Sequence, residues 1–522
     1  METANMSRKS PYPVAKIFSS KKHRMFDQKT IESGVISGFQ LMKNAGSKAA
    51  EITLQYYPLS SLASSQITVI CGKGGNGGDG LIVTSYFLKK GLTVKAIMLC
   101  KEKDLLGDTL KSFKLGKTEG LKISFKDRLN EKDLEGSSLI IDAILGTGFN
   151  GSAKSEIADA INLINTYRIN KDCHIVSLDL PSGANANLFS QTSSHIIADQ
   201  TMSFGFKKPF HVSPEGIRSC GIVEVIDIGL SEPSYENEMA DAIEIKSIEL
   251  PSRPKEGFKG TFGHVLIVGG SQGLYGAPIL SAMAALKSGA GLVTAFLPKD
   301  SGTSLPSYPP ELMIQRGQTE KIFSAQDIEV LKKIIKEKKI TSIAIGMGLG
   351  QNSGDFLKEA IIDIGIPMVV DADGLSCLKE YSTHKNMILT PHPGEYLKYF
   401  SPETPNSFEE LQKKSNELSA TIIYKSTCPV ICFPGSTPEV VANPVSALAK
   451  AGSGDILAGI LAGLCGQSHL SLKEAVRLSL LAHNKSGESA SKITGDYASS
   501  ASDIVSQISD AIRKLSLKEA GD

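Results

Sequence analysis

The residues best suited to chemistry in the second half of the chain are adjacent, from Gly452 to Asp455 in the stretch AKAGSGDILAGILAGL. Small residues let backbone N–H groups close around a transferring phosphoryl group, and an adjacent carboxylate can accept the proton of an attacking hydroxyl. We therefore predict that the amides of Gly452, Ser453 and Gly454 form an anion hole and that Asp455 is a catalytic base. The alternative is structural: Asp455 caps a helix and the glycines permit close packing.

Two glycine-rich stretches in the first half each follow a predicted strand and precede a predicted helix. Residues 72–77 and 146–151 both match the pattern GxGxxG. Unpaired N–H groups and the helix dipole at such a turn attract phosphate. One match alone is a weak signal, but two in this context favour a ligand that carries a diphosphate.

Four oxygen-bearing residues of the first half are predicted at strand ends or glycine loops: Asn76, Asp142, Asp179 and Ser182. Open α/β sheets hold ligands at that edge, and hard oxygen atoms suit a hard cation better than zinc. Asp179 could instead be an acid or base, or hold a ribose hydroxyl in a dehydrogenase. The strand after the first glycine loop ends in IMLC, without the acid that a dehydrogenase places there, which argues against hydride transfer.

These residues need a scaffold, and short β-branched runs alternating with helical patterns predict an α/β fold with mostly parallel sheets. A stretch rich in Glu and Pro, LSEPSYENEMADAIEIKSIELPSRPKEG, lacks periodicity and places a domain boundary near residue 245. We expect a Rossmann-like three-layer domain over 1–245 and a second α/β/α domain over 246–522. The strands are predicted at residues 67–71, 93–99, 140–145, 174–178, 201–204, 264–268, 292–297, 343–345, 368–370, 387–389, 421–424 and 430–433.

Composition excludes several classes of function. The chain of 522 residues carries 56 Lys and Arg against 55 Asp and Glu, so it has no overall field to gather nucleic acid or anionic lipid. The longest apolar run, 456–465, is shorter than the roughly 20 residues that span a bilayer. The eight cysteines form no CxxC pair and are predicted to be buried free thiols. We expect a cytoplasmic homo-oligomer with small-molecule substrates.

The motifs GKGGNGGDG, DAILGTGFNG, DLPSG and SFGFKKP resemble the YjeF N-terminal family, the NAD(P)H-hydrate epimerases, over residues 14–230. The resemblance implies a potassium ion held by Asn76, Asp142 and Ser182. It also implies that Asp179 acts on the damaged ring, with Lys208 beside it. The residues implied to contact the hydrated dinucleotide are Gly75, Asn76, Gly77, Gly78, Asp79, Gly146, Thr147, Gly148, Phe149, Asn150, Gly151, Ser152 and Asp179.

Two positions depart from the usual motifs of that family. Gly75 stands for the first Asn of NNGGDG, which is tolerable if backbone N–H groups bind the ligand. Lys43 stands for the Glu of MENAG and inverts a charge near the pocket or a subunit contact. Lys43 therefore leaves open the alternative that the first half is not catalytic and only binds a ligand or acts as a scaffold.

In the second half, GHVLIVGGSQGLYGAPIL, GMGLG, VVDADGL, LTPHPGE and IIYKST, with GSGD, resemble the ADP/ATP-dependent NAD(P)H-hydrate dehydratase branch of the ribokinase-like superfamily over residues 250–515. The resemblance implies a ribokinase-like fold and ADP or ATP, with magnesium, as co-substrate. GMGLG for GPGLG and KST for KGA are departures that remove no reacting group. The residues implied to contact the hydrated nucleotide are Ala277, Gly350, His392 and Asp455. Those implied to hold the adenosine phosphate are Lys425, Ser426, Thr427, Cys428, Pro429 and Gly454.

Taken alone, His392 is typical of a turn or core histidine, and Lys425 of a solvated lysine at a strand end. Together the two resemblances imply repair of hydrated NAD(P)H. Epimerisation of its R and S forms would feed an ADP-dependent dehydration of the S form. The alternative is a ribokinase-like small-molecule kinase, for example one acting on hydroxymethylpyrimidine, with a non-catalytic dinucleotide-binding module at its N-terminus.

Overall fold

The computed structural model describes residues 14–62, 65–149, 151, 153, 155–189, 194–303, 308–350, 352–362, 364–379 and 382–516. Its contacts divide into two compact units, one of residues 16–242 and one that includes residues 243–516. Each unit has its own sheet and its own hydrophobic core. Within the described residues, no helix combines the length and the apolar character needed to cross a bilayer.

The first unit is built from alternating strands and helices. The strands up to residue 226 are β1 (Val14–Ile17), β2 (Gln66–Cys71), β3 (Val94–Met98), β4 (Ile123–Phe125), β5 (Ser137–Ala143), β6 (His174–Leu178), β7 (Gln200–Phe204) and β8 (Ile222–Ile226). The helices are α1 (Ser20–Glu32), α2 (Gly38–Tyr56), α3 (Leu59–Leu62), α4 (Gly75–Lys89), α5 (Gly107–Thr118), α6 (Glu131–Leu134), α7 (Ser155–Lys171) and α8 (Pro214–Ser219).

Seven of these strands form a parallel sheet in the order β4-β3-β2-β5-β6-β7-β8. Alternate residues of a strand face opposite sides. Val69 and Ile141 accordingly pack in the core that holds buried residues of α2, α4 and α5. Ile70 and Ile140 pack on the other side with α6 and α7. The expected Rossmann-like three-layer fold is confirmed.

The strand order places a topological switch point at the centre of this sheet. The chain leaves β2 for β3 on one side and later returns to β5 on the other side of β2. The carboxyl ends of β2 and β5 therefore border the crevice where open α/β sheets bind ligands. Both glycine-rich stretches begin at these two strand ends.

The second unit repeats the alternation with a different sheet. Its strands are β9 (Ala242–Ile245), β10 (His264–Val268), β11 (Leu292–Leu297), β12 (Met313–Arg316), β13 (Ser342–Ile345), β14 (Met368–Val370), β15 (Met387–Leu389), β16 (Thr421–Tyr424), β17 (Val430–Cys432) and β18 (Glu439–Val440). Its helices are α9 (Gly276–Lys287), α10 (Ile328–Glu337), α11 (Gly354–Ala360), α12 (Pro393–Tyr399), α13 (Phe408–Leu418), α14 (Ser453–Cys465), α15 (Leu472–Thr494) and α16 (Ala501–Ser516).

In this sheet the strands from β9 onward run in the order β9-β18-β17-β16-β15-β14-β13-β10-β11-β12. The strands from β16 to β12 in this order are mutually parallel, and β17 is antiparallel to both β16 and β18. Helices α9, α14, α15 and α16 share one core with the sheet. On the opposite face, Phe323 packs against Phe296 of β11 with the rings tilted and stacks on Phe356 of α11, with ring centroids 4.7 Å apart in each pair. The expected α/β/α layering is confirmed.

All twelve strands predicted from the sequence are present within a few residues of the expected bounds. The helix that follows the first glycine stretch, α4, begins at Gly75, so the last three residues of the stretch 72–77 form the start of the helix. All eight cysteines are free thiols, as predicted, and all of them except Cys100 are buried.

Candidate active sites

The two glycine stretches of the first unit meet at the switch point, where a Cβ atom on Gly146 would lie 3.3 Å from the Asn76 side chain. A Cβ atom on Gly72 would lie 2.0 Å from the carbonyl oxygen of Ile144, and one on Gly77 would lie 1.8 Å from the carbonyl oxygen of Gly72. Only glycine permits these approaches. The stretches border a cavity of about 980 Å³, which falls within the size range of cofactor-binding clefts.

Most of the predicted contact residues line this cavity, but some do not. Gly77 is buried against Gly72, and a Cβ on Gly78 would lie 2.6 Å from the Met42 side chain, so both pack inside the unit instead of lining the cavity. Gly151 is exposed, while Asn150 and Ser152 lie outside the described residues. The predicted residues that line the cavity are Gly75, Asn76, Asp79, Gly146, Thr147, Gly148, Phe149 and Asp179.

Asp179 and Lys208 form a buried ion pair at the cavity wall. The Lys208 ammonium donates to the Asp179 carboxylate, to the carbonyl oxygen of Phe204 at 3.0 Å and to Ser203 Oγ at 3.3 Å. Asp179 has a positive φ of 65°, a conformation that Asp tolerates better than most residues. The second carboxylate oxygen accepts from the backbone N–H of Thr147 at 3.3 Å. The sequence predicted both residues, and the structure brings them together.

Two of the further carboxylates that line the same cavity, Asp27 and Asp79, have raised pKa values. Burial, and next the negative charge of Asp179, raise the pKa of Asp27 to about 6, although Lys208 opposes the shift. Burial, and next the charges of Asp179 and Asp27, raise the pKa of Asp79 well above its usual range. Sequence reasoning missed Asp27 because it lies within an ordinary helical pattern of α1, with no motif around it.

The residues proposed to hold potassium converge on the loop after β5. Ser182 donates its hydroxyl to Asp142, Ser177 Oγ donates to the same carboxylate at 2.8 Å, and Asn76 Nδ2 donates to the carbonyl oxygen of Leu145 at 2.9 Å. Burial raises the pKa of Asp142, against the effect of these hydrogen bonds. Asn76 Oδ1 is buried without a partner among the described residues. An orphaned oxygen beside a carboxylate and a hydroxyl fits a hard cation.

Lys43, the charge-inverting departure in the first half, does not line the cavity. Its ammonium lies 5.3 Å from the centroid of the Phe39 ring, and Lys111 lies 5.8 Å from the same ring. Such contacts stabilise a cation at the surface. The positive charge of Lys43 therefore lies against an aromatic ring and outside the residues that line the cavity, and the acidic residues of the cavity are retained.

In the second unit, the GSGD motif forms the N-terminus of α14. Gly452 precedes the helix with a φ of 90°, and Asp455 lies in the first turn. The backbone carbonyl of Asp455 accepts from Ser281 Oγ of α9 at 2.7 Å. A Cβ on Gly459, one turn further on, would lie 2.1 Å from the carbonyl oxygen of Ser281. Close packing on α9 thus fixes the turn that carries Asp455, so both the chemical and the packing interpretation of this motif have a structural basis.

Lys425 lies beside this helix N-terminus and is not solvated, contrary to the simple expectation for a lysine at a strand end. Its ammonium pairs with the Asp371 carboxylate and lies 3.8 Å from Glu395 Oε2. A Cβ on Gly454 would lie 3.5 Å from the Lys425 ammonium and 3.6 Å from Asp371 Oδ2. Any side chain at Gly454 would enter this gap between the lysine and the helix.

Three carboxylates share this one lysine, and two of them have raised pKa values. Burial, and next the charge of Asp371, raise the pKa of Asp455 to about 7, while Lys425 opposes the shift. Burial likewise raises the pKa of Glu395, against the effect of Lys425. Asp371 directly follows β14 within the motif VVDADGL, so its position at a strand end was a signal that the sequence prediction did not use.

A partly buried histidine of α15, His483, contacts the N-terminus of α14. His483 Nε2 lies 3.0 Å from the carbonyl oxygen of Ser453 and 3.1 Å from its hydroxyl. Burial lowers the pKa of His483 to about 4, so the ring is neutral at pH 7 and donates from this nitrogen. The amide end of α14 is therefore held by a neutral side chain.

The remaining predicted residues of this unit lie on neighbouring loops and elements. His392 is the N-cap of α12: its Nδ1 accepts from the N–H groups of Gly394 and Glu395 at 3.1 and 3.3 Å, which matches the simple expectation of a turn histidine. Gly350 has a φ of 79° and donates its N–H to Asp373 Oδ2 at 2.9 Å. Ala277 lies in the first turn of α9.

The remaining residues predicted to hold the adenosine phosphate lie in the segment that follows β16. Ser426 donates its hydroxyl to the carbonyl oxygen of Cys428 at 2.6 Å, and Cys428 is buried. Thr427 is exposed and Pro429 is partly buried. Because the loop begins at Lys425, its start lies next to the α14 N-terminus.

Comparison with protein families assigns each half separately. Residues 265–510 match the family model described as NAD(P)H-hydrate dehydratase, and residues 38–210 match the model described as YjeF-related protein N-terminus. Curated relatives match almost end to end and are named bifunctional NAD(P)H-hydrate repair enzyme. That of Moorella thermoacetica is 33% identical over 507 residues, covering 92% of this chain and 93% of the relative. That of Coxiella burnetii is 29% identical over 499 residues, covering 94% and 97%.

Among solved structures, an ADP/ATP-dependent NAD(P)H-hydrate dehydratase from Bacillus subtilis, co-crystallized with ATP/Mg2+, is similar to part of the chain. It is 24% identical with a TM-score of 0.43, and the match covers 51% of this chain and 95% of that chain.

Proposed function

The chain belongs to the family of bifunctional NAD(P)H-hydrate repair enzymes, and we propose that each of its two units carries one step of the repair. The first unit interconverts the R and S forms of hydrated NADH or NADPH. The second dehydrates the S form at the expense of ADP, giving AMP and phosphate. The observation that carries the assignment is Asp455, ionisable near neutral pH in the first turn of α14 beside the pair of Lys425 and Asp371.

The dehydration begins with a poor leaving group. Hydration leaves a hydroxyl at C6 of the nicotinamide ring, and hydroxide departs slowly. Asp455 takes the proton of this hydroxyl as its oxygen attacks the terminal phosphorus of the nucleotide, and such a base contributes about 10²- to 10⁴-fold. The amides at the start of α14 and the Lys425 ammonium stabilise the phosphoryl charge. The ring nitrogen then expels phosphate, and loss of the C5 proton restores the double bond.

The other predicted residues of the second unit have binding roles in this proposal. Ala277, Gly350 and His392 contact the hydrated nucleotide, and the segment from Lys425 to Pro429 with Gly454 holds the adenosine phosphate. Magnesium enters with the nucleotide as its counter-ion. The gap beside Gly454 supports this arrangement, because it places the lysine ammonium next to the N-terminus of α14. Of the three amides predicted to form the anion hole, the N–H of Ser453 donates to the carbonyl oxygen of Lys450 at 3.2 Å.

The epimerase step uses the cavity of the first unit. Asp179, held by Lys208, exchanges a proton with the C6 oxygen of the damaged ring. The backbone at Gly146 and Thr147 borders the same side of the cavity. Asn76, Asp142 and Ser182 would hold a potassium ion, which would supply positive charge for a diphosphate-bearing ligand. The two units depend on each other chemically, because a dehydratase specific for one epimer would leave the other one unused.

The test is one assay on the full chain with a mixture of both hydrate epimers, adding ADP or ATP in separate reactions. Return of the reduced-nicotinamide absorbance reports dehydration, and chromatography without nucleotide reports epimer exchange. We expect Asp455→Asn to abolish dehydration and leave epimer exchange intact. We expect Asp179→Ala to restrict fast recovery to the S epimer. Asp355→Asn, an exposed acid of α11, is the matched control and should keep both activities.

Failure of the wild-type chain to restore absorbance with either nucleotide would refute the proposal. The small-molecule kinase is distinguished in the same experiment. If the second unit consumed nucleotide with hydroxymethylpyrimidine but not with hydrated NADH, the kinase alternative would replace it. Fast clearance of both epimers by Asp179→Ala would remove Asp179 from the mechanism.

A further inference from the structure

Asp27 is a carboxylate of the first-unit cavity that the function described above does not use. It lines the cavity from α1, together with Asp79 from α4 and Asp179 from the turn after β6. Among the described residues, the Asp27 carboxylate makes no hydrogen bond and no ion pair. It is therefore free to interact with a ligand in the cavity.

The position of Asp27 is fixed by the residue before it. Phe26 is fully buried, with its ring centroid 4.9 Å from that of Phe18 and 5.9 Å from that of Phe206. At the start of the helix, the N–H of Ser20 donates to Asn187 Oδ1 at 2.9 Å. Because α1 is anchored at both points, Asp27 is held towards the cavity as part of a rigid helix.

An unpartnered, half-buried carboxylate costs folding free energy unless it takes up a proton. Burial, and next the charge of Asp179, favour the protonated form of Asp27 and raise its pKa to about 6. Lys208 lowers the pKa of Asp27, and Asp27 in turn raises that of Asp79. The other charged residues that line the cavity are Arg24 of the same helix and Lys73, Asp104, Asp108, Asp127 and Glu156. The cavity thus contains one carboxylate bound to lysine and one that is able to hold a proton near neutral pH.

Epimerisation at C6 requires both kinds of group. The departing hydroxyl needs a proton so that it can leave as water, and the water that adds to the opposite face must lose one. A single carboxylate on one side cannot perform both transfers at once. Resting on the epimerase function proposed above, we infer that Asp27 is the general acid of that reaction and that Asp179 is its base.

The step is balanced in atoms and electrons. Asp27 donates its proton to the C6 hydroxyl, the C6–O bond breaks with its electron pair on oxygen, and the N1 lone pair forms a C6=N1 double bond. A water oxygen then bonds to the opposite face of C6, the double-bond pair returns to N1, and Asp179 accepts the proton of that water. One water leaves and one enters.

After one turnover the proton has moved from Asp27 to Asp179 and must return. Asp79 is positioned for this return, since both carboxylates act on it electrostatically and it makes no hydrogen bond or ion pair of its own among the described residues. The three carboxylates then form a relay across the cavity. Asp79 takes up and passes on a proton in this scheme and does not touch the reacting carbon.

The test measures conversion of purified R hydrate to S hydrate by the full chain without nucleotide, from pH 5 to pH 8, with the uncatalysed rate subtracted. We expect Asp27→Asn to lower kcat/KM at pH 6 at least about 100-fold, the usual contribution of a general acid. We expect Asp27→Glu to recover part of the rate. Glu32→Gln, an exposed residue at the end of the same helix, should keep the wild-type rate.

The pH profile separates catalysis from structure. An acid must be protonated, so the wild-type rate should fall as pH rises above about 6, and the residual rate of Asp27→Asn should lack that decline. Asp27→Asn should also unfold at the same or a higher temperature, because it removes a desolvated charge. A wild-type rate or an unchanged decline in Asp27→Asn would overturn the assignment of Asp27. No exchange by the wild type would instead refute the epimerase function itself.

Discussion

The pH dependence of the second unit should be controlled by Asp371, a residue that does not react. Asp455 is the base, and its pKa of about 7 comes first from burial and second from the negative charge of Asp371. Asp371→Asn keeps the size of the side chain and an oxygen that can accept from Thr390 Oγ1, now at 2.7 Å. It removes the charge and leaves Glu395, 3.8 Å away, as the remaining ion-pair partner of Lys425. Loss of the Asp371 charge favours the ionised form of Asp455.

The size of the effect follows from the titration of one carboxyl group. With a pKa of about 7, roughly one tenth of Asp455 is ionised at pH 6 and roughly nine tenths at pH 8. A neighbouring charge commonly shifts a pKa by about one unit or more. A decrease of about one unit would leave roughly half of Asp455 ionised at pH 6, so the ratio of the rates at pH 6 and pH 8 should rise about fivefold.

The assay is single-turnover recovery of NADH from S hydrate at saturating ADP, so that product release does not mask the chemical step. The rate of each variant is compared with the rate of the same variant at other pH values, so a loss of nucleotide binding that is equal at every pH does not affect the comparison. Lys425→Met should shift the rising limb in the opposite direction, because Lys425 lowers the pKa of Asp455. The electrostatic argument would be refuted if the rate of Asp371→Asn rose over the same pH range as that of the wild type, or over a higher one.

Two predictions concern stability, measured by urea unfolding of the full chain. Because the folded pKa of Asp455 lies above its unfolded value of 3.8, the folded state loses stability as pH rises from about 4 to 7. Asp455→Asn should therefore stabilise the protein by about 1–3 kcal/mol at pH 8 and by less at pH 5. Equal stability of the variant and the wild type at pH 8 would contradict this. Gly459→Ala should destabilise by about 1–3 kcal/mol, because its Cβ would collide with the Ser281 carbonyl, whereas Gly354→Ala, with 3.6 Å to Cys377 Sγ, should be tolerated.

The sequence predicted the central strands because they are buried on both faces and read as continuous apolar runs. It missed the strands at or near the sheet edges. β4, β8 and β12 are partly exposed along most of their length and carry no such run. β18 has only two residues. A strand of this kind is defined by the neighbour it pairs with, which a local pattern does not contain.

The same distinction holds for the sites. Asp179 was predicted because it follows a strand in the motif DLPSG, and Asp455 because it follows glycines at the start of a helix. Asp27 has no local signal, since α1 brings it to the cavity from a distant part of the sequence. The orientation of His392 into its own helix cap was likewise set by backbone geometry. Motifs therefore indicated where the chain meets a ligand, and packing determined which further groups surround it.

The two sites have a similar arrangement of charged side chains, although the folds of the two units differ. In each, one lysine forms an ion pair with one carboxylate, Lys208 with Asp179 in the first unit and Lys425 with Asp371 in the second. The positive charge of the lysine offsets the negative charge of its partner. A second carboxylate of each site has a raised pKa, about 6 for Asp27 and about 7 for Asp455. Because proton transfer is most efficient when the pKa lies near the working pH, each lysine indirectly tunes an acid that it does not bind.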